Sequence, residues 1–458
     1  MKNMQSPRRT VISAAISTLL ASNVYAGGFS LYTEGSAAAV GNYAAGVAAE
    51  AADASIGWYN PAGLVLLGKQ QAVFSGVGVF PSSKLTGTTT FATEGLPSYV
   101  QNFSDLQAAK NGFVPSVHYA LPLGENSAFG LSIVSPFGLS TEYSTVSPVR
   151  YSATFTELLT INVSPEIAGR LTDNFAIGGA LDLQWSQVKF NRMLGAPTLL
   201  QAGGLDPTLF DSLSYNKGHS FGLGFHAGVM GMFNDNHTRI GLNYQSKIKH
   251  TFHGYSKLTG PLADPATFNQ LGVFRSDSLF SNDIEFPDIV TLSAYQDITD
   301  KLALLGSVVY TGWDVFNIIQ LNNVAAFSPL AGSVVVNSTS VQDYRNAWRF
   351  SVGANYHFNE KWMLRVGGGY DQTPTIDGQR DIRLPDGNRW ALAIGAHYQM
   401  WPAVGIDAGY AYLFGQDDIP INKTDALGSS SYTVNARANA HAQLVGLQAV
   451  WTIDKETK

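Results

Sequence analysis

The chain contains no cysteine among its 458 residues, which excludes disulfides, thiolate catalysis and thiolate-bound metals. Charge is also scarce. Only 14% of residues are Asp, Glu, Lys or Arg, and the net charge of −6 argues against nonspecific attraction to nucleic acid. Beyond Gly27 no uninterrupted apolar run is long enough for a spanning helix. The short apolar run Val11 to Leu20 follows Lys2, Arg8 and Arg9 and precedes Val24-Tyr25-Ala26. That is the pattern of a secretory signal peptide over residues 1–26, with the mature chain starting near Gly27. Losing those three cations moves the charge from −6 to −9. An exported chain without spanning helices that enters a membrane must do so as a closed β-barrel.

Aromatic residues (12%) and glycine (46 residues) are plentiful, and short segments alternate in polarity. In one of them Trp348, Phe350, Val352, Ala354, Tyr356 and Phe358 alternate with Arg349, Ser351, Gly353, Asn355 and His357. A period of two puts these sets on opposite faces of a strand, and about 10 residues suffice for a tilted strand to cross a bilayer. Fourteen such candidates occur, at 70–85, 113–123, 128–143, 154–171, 175–193, 220–233, 239–255, 284–298, 302–321, 347–358, 362–373, 388–400, 404–421 and 437–453. Six connections are short, such as Gly124-Glu125-Asn126 and Asn359-Glu360-Lys361, and they alternate with longer ones, the longest at 194–219 and 256–283. Short turns on one rim and long loops on the other are the asymmetry of an outer-membrane barrel, whereas a β-sandwich has no reason to alternate so regularly. The expected fold is therefore an all-β transmembrane barrel of 14 antiparallel strands over residues 70–453, with a short tail at 454–458.

Residues 27–69 differ. They are rich in Ala, Gly and Ser, lack alternation and end in Trp58-Tyr59-Asn60-Pro61-Ala62-Gly63. Short helices broken by glycine are expected, buried in something because the segment is apolar yet irregular. Strand 128–143 is interrupted by Ser135-Pro136-Phe137-Gly138, which by itself reads as a bulge. In 302–321, Leu305 and Val309 fall on the inner side, a fault for a water-filled pore but suited to an oily cargo.

These stretches carry a resemblance to the FadL/TodX family of outer-membrane transporters for long-chain fatty acids and other hydrophobic compounds. The resemblance spans Gly28-Phe29, Asn60-Pro61-Ala62, Ser135 to Tyr143, Tyr310-Thr311-Gly312-Trp313, Tyr344 to Arg349 and Ile382 to Trp390. It implies that residues 27–69 form a partly helical hatch plugging the lumen, with Phe29, Asn60, Pro61 and Ala62 in the gate. It also implies that Ser135, Pro136, Phe137 and Gly138 form an inward kink, opening a wall window through which cargo leaves into outer-membrane lipid. The two longest loops would form a capture groove, using Leu199, Leu200, Leu209, Phe210, Phe268, Leu271 and Phe274. Arg192, inward by parity, resembles an arginine of the family's inner pocket and is the candidate partner for a carboxylate; where a second cation would be sought stands Gln320.

The expected partner is a long-chain fatty acid, with aromatic hydrocarbons or other neutral apolar compounds as the nearest alternative and a structural or adhesive barrel as the alternative of another class. No cofactor or metal is expected, since His250 and His253 are wrongly spaced for one strand face and lack a third ligand. No Gly-x-Ser-x-Gly elbow suggests an enzyme. A monomer is expected.

Overall fold

The computed structural model describes residues 30–328 and 331–453. The segment expected to be a signal peptide, Phe29 and the tail 454–458 lie outside the described residues. The remainder forms one closed antiparallel sheet of 14 spanning strands. The first five are β1 Gln70–Thr93, β2 Gly112–Pro122, β3 Ser127–Val134 with Gly138–Glu142, β4 Phe155–Thr172 and β5 Phe175–Leu194. Next come β6 Ser212–Phe233, β7 Thr238–Gln245 with Ile248–Thr259, β8 Val273–Phe286 with Ile289–Thr299 and β9 Leu302–Thr311 with Ile318–Ser328. The ring is completed by β10 Ala347–His357, β11 Trp362–Asp371, β12 Arg389–Trp401, β13 Val404–Gly415 with Ile419–Leu427, and β14 Ser430–Ile453. Each strand pairs with its neighbour in sequence, and β14 pairs with β1 from Gln70↔Ile453 to Thr93↔Ser430. Closure leaves no sheet edge facing lipid.

Three expectations need correction. The candidates at 239–255, 284–298, 302–321 and 404–421 are each interrupted, whereas only the one at 128–143 is expected to be. Two further strands, Tyr99–Gln107 and Gly332–Val341, fold back as arms on the outer ends of β1 and β9. The two long connections are shorter than read from sequence, because β5 to β8 extend far above the membrane and leave loops at 195–211 and 260–272. Leu213, Leu258, Val273, Phe274, Leu279 and Phe280 thus belong to strands. These extensions carry the same alternation as any strand, but polar and apolar residues mix on both faces above the lipid, which hides the period.

Residues 30–69 lie inside the ring. They include helix α1 (Ala37–Gly41), helix α2 (Ile56–Tyr59) and a 3₁₀ turn (Pro61–Leu66), nearly all buried. Their donors reach strands around the barrel: Ala37 N–H to Ser75 Oγ (2.9 Å), Gly46 N–H to Ser307 Oγ (2.8 Å), Ala48 N–H to Ser293 Oγ (3.1 Å) and Ser36 O–H to Gln448 Oε1 (2.9 Å). Asn60 caps the 3₁₀ turn by accepting from Ala62 N–H and donates to Ala48 O (2.8 Å) and to Val229 O of β6 (3.1 Å). Pro61 occupies the first turn, where a missing N–H costs nothing.

Wall glycines make this docking backbone to backbone. A Cβ on Gly409 would lie 2.6 Å from Ala37 O, and one on Gly446 would lie 2.8 Å from Ala37 Cβ. Leu305, one of the inward apolar residues, packs against Gly46. Gly446→Val is therefore expected to unseat α1 while leaving the barrel folded, at an overpacking cost of about 1–3 kcal/mol. Planar-bilayer conductance and antibiotic influx should both rise; unchanged conductance would show that α1 does not depend on this contact.

Candidate functional site

Two features of the wall and lumen could handle an apolar cargo: a seam between β2 and β3 and a cavity beneath the extracellular loops. At the seam, β2 and β3 pair only from Val117↔Ile133 to Pro122↔Ala128. Above that the single bridge is Ala109↔Thr141, beside a hydrogen bond from Glu142 N–H to Ala108 O (3.1 Å). Residues 110–116 and 134–140 therefore face each other without a shared ladder. Pro115 and Pro136 each lack the N–H that a ladder uses.

The interruption is stabilised from the other side. Val134↔Asn162 and Gly138↔Leu159 on β4 bracket one extra residue in β3. Thr160 fills the gap, its hydroxyl accepting from Phe137 N–H (3.0 Å) and donating to Phe137 O (2.6 Å), while Ser135 O–H donates to Thr160 O (2.7 Å). Phe137 is turned into the lumen, with its ring 5.0 Å from Phe286 and 5.9 Å from Trp313. The hatch backs the seam, since Gly35 O accepts from Ser116 O–H (2.9 Å) and from His118 Nε2 (2.7 Å).

Under the loops lies a cavity of about 740 Å³ whose lining includes Phe91, Phe190, Arg192, Leu199, Ile319 and Arg383. Phe190, Ile319, Asp381 and Arg383 also line a second, smaller pocket, whose remaining walls include Leu139, Leu158, Val188, Phe252, Phe286 and Phe316. Its free volume is about 50 Å³, so side chains must shift before a long acyl chain can fit. Phe137 packs in the same apolar cluster as Phe286 and Phe316. An apolar lining thus runs from the charged cavity down to the seam.

Arg192 donates no hydrogen bond and forms no ion pair among the described residues; the charges acting on it are Arg383 and Asp425. Arg383 donates to Thr156 Oγ1 (2.8 Å) and to Ser152 O, and its backbone N–H is held by Asp381 (2.9 Å). Asp381 in turn pairs with Lys423 (3.3 Å). Gln320 is absent from both linings and bonds to Asn322 (2.8 Å). The second cation of the cavity is Arg383, carried by the loop between β11 and β12.

The loop candidates separate. Leu199 lines the cavity but is 60% exposed, and Leu200 flanks it on the same short helix, Pro197–Ala202. Phe210 and Phe268 meet edge to face (6.3 Å), and Gln270 donates to Leu209 O (2.8 Å). These two loops touch, yet Leu209, Phe210, Phe268 and Leu271 do not line the cavity, and Leu271 is 83% exposed. Phe274 packs with Leu258, Leu262 and Ala325. Sequence reasoning also passed over Arg150, fully buried, which donates to Asp211 Oδ2 (2.7 Å), Gln101 Oε1 (2.8 Å) and Tyr151 Oη (2.8 Å) and so fastens three extracellular segments together.

A family model described as outer membrane protein transport protein (OMPP1/FadL/TodX) matches residues 17–452. The chain belongs to this family. It is 25% identical to the long-chain fatty acid transport protein of Escherichia coli O6:H1, with 94% of this chain and 96% of that protein covered. It is 29% identical to outer membrane protein P1 of Haemophilus influenzae, over the same shares of the two chains. A crystal structure of a Pseudomonas aeruginosa FadL homologue superposes with a TM-score of 0.79 at 24% identity, covering 94% of this chain and 100% of that one. The Ralstonia pickettii toluene transporter TbuX superposes at 0.58 and 20%, covering 88% and 94%. The chain is thus a bacterial outer-membrane protein that transports hydrophobic compounds and not an enzyme.

Within the hatch, Glu34 is buried, with Oε1 accepting from Leu31 N–H (2.9 Å) and no partner on Oε2. Burial pushes its carboxyl from 4.5 up to about 7, against the hydrogen bond from Leu31 and the charge of Arg349. A carboxyl raised in this way favours the docked state below pH 4.5, and that contribution is lost as pH rises through 7. Hydrogen exchange over residues 31–36 should therefore quicken between pH 6 and 8.5 after correction for intrinsic exchange, and Glu34→Gln should remove the change. A pH dependence that survives Glu34→Gln would assign it to another group.

Proposed function

We propose that this chain carries long-chain fatty acids across the outer membrane by capture at the extracellular loops, transfer to the inner pocket and lateral exit between β2 and β3. The observation that supports this most is the placing of Arg192 and Arg383, with Asp381 and Asp425, in a polar cavity that gives way to a largely apolar pocket and the cluster around Phe137. A carboxylate buried without a donor is costly, and Arg192 has uncommitted donors there. The acyl chain would then lie among Leu158, Val188 and Phe286, and the touching loops at Phe210 and Phe268 would meet cargo first. Movement of Asn60, Pro61 and Ala62 with the hatch would free the seam at Ser135, Pro136, Phe137 and Gly138.

Uptake of radiolabelled oleate and toluene into a strain lacking its own transporter tests the class of cargo. Arg192→Ala is expected to weaken oleate binding by about 2 kcal/mol, roughly 30-fold, and toluene binding little. Equal losses for both ligands would remove Arg192 from carboxylate recognition. Neutral aromatic compounds are the second reading, favoured by the rings of Phe286, Phe316, Trp313 and Tyr344 around the small pocket; toluene uptake without oleate uptake would establish it.

Lateral exit has its own test. Pro136→Trp, placed at the seam, should abolish uptake while oleate affinity stays within about twofold, because the substitution lies below the charged cavity and costs only local repacking. Uptake at the wild-type rate would show that cargo leaves elsewhere.

A further inference from the structure

The outward face of β5 to β8 carries cations where strand pairing disfavours them. Lys189 of β5 stands directly opposite Lys217 of β6. Lys257 of β7 stands directly opposite Arg275 of β8. Like charges directly opposed on a sheet are destabilising, so a repeated arrangement calls for an anion. The chain supplies only part of one. Lys189 pairs with Glu157 (2.7 Å) and Arg275 with Asp277 (2.6 Å), whereas Lys217 and Lys257 form no ion pair among the described residues. This local excess of bases sits on a chain that is acidic overall.

Rings brace the group. Tyr215 and Tyr255 stack at 5.7 Å, and the Arg275 guanidinium lies 4.3 Å over Tyr255. In the register Lys217 faces Tyr255 and Lys257 faces Tyr215, which makes the two lysines diagonal neighbours about 7–8 Å apart at the backbone. That spacing leaves room for one tetrahedral anion between them.

Height on the wall identifies the source of the anion. Outward residues of β6 from Phe221 through Leu223, Phe225 and Val229 are exposed and apolar. The belt ends at Phe221 and Leu223, beside which β7 and β8 set the exposed pair Lys249–Asp283 (2.6 Å), so charge replaces lipid-facing apolar side chains at this level. Lys217 and His219 come next toward the long-loop rim, at headgroup level.

We propose that this face seats a phosphate-bearing lipid headgroup of the outer leaflet. The phosphate lies between Lys217 and Lys257, and the acyl chains run down over Leu183, Phe221 and Leu223. The seat is on the outside of β5 to β8, away from the β2–β3 seam and from the cavity, so it serves anchoring and not cargo passage. It does not depend on which cargo the lumen takes.

The test is native mass spectrometry of the detergent-purified protein titrated with bis-phosphorylated lipid A, with the fully dephosphorylated lipid in parallel. The wild type should bind the phosphorylated form more tightly. Lys217→Gln with Lys257→Gln should weaken it about 30-fold, about fivefold per cation, down to the level of the dephosphorylated lipid. Lys217→Arg with Lys257→Arg should restore binding, and oleate affinity should be unchanged in all variants. Equal binding of the two lipids by the wild type, or an unchanged affinity in the double Gln variant that retains heat-modifiable migration, would overturn the proposal. Displacement of the lipid by inorganic phosphate at equal concentration would also overturn it, because the seat would then hold a free anion.

Discussion

Everything in this structure answers to one constraint: lipid offers no hydrogen bond to an exposed peptide group. Closing β14 onto β1 satisfies that constraint around the ring. Where strands break, a side chain or a displaced peptide restores what the ladder loses. Ser246 Oγ accepts from Phe225 N–H (2.9 Å), Asn282 Oδ1 from Gln320 N–H (2.8 Å) and Asn439 Oδ1 from Asp418 N–H (2.9 Å). Thr160 does the same for Phe137 on the β4 side of β3. The β2 side of that strand stands apart: there the ladder stops, and the hatch meets the seam through Gly35 O, which accepts from the side chains of Ser116 and His118.

The hatch changes the meaning of a polar lumen. Ser75, Ser293, Ser307 and Gln448 occupy inward positions that in a porin would meet water. Here they bond to the hatch: three accept from its backbone amides, and Gln448 accepts from Ser36. Inward glycines let those amides come close enough. The wall is thus complementary to a particular plug, and its irregularities are the imprint of that plug on an otherwise alternating sequence.

This explains which parts of the molecule were legible in sequence. Strand number, orientation and the break at Pro136 follow from period two, loop asymmetry and the missing N–H of proline, all of which are local signals. The outer extension of β5 was legible to within a residue, but those of β6 to β8 and the arms at 99–107 and 332–341 were not, since above the membrane neither face has a fixed polarity. Arg192 could be placed inward by parity alone. Arg383 could not, because it reaches the cavity from an irregular loop folded into the barrel, where no period assigns direction. Arg150 and Asp211 are 61 residues apart, and only the closed fold brings them together.

For the lateral exit proposed above, the seam would also set the energetics of release for an oily cargo. A ligand with about 15 methylenes gains on the order of 12 kcal/mol by burial, and a path ending in water would have to return all of it. A path ending in the bilayer returns almost none. Against that, an unpaired backbone group in the seam costs about 1–3 kcal/mol. A few such groups together cost less than the burial energy that a path into water would return. The same comparison explains why the break falls in the wall beside the apolar pocket: an opening elsewhere would carry the same backbone cost without joining that pocket to lipid.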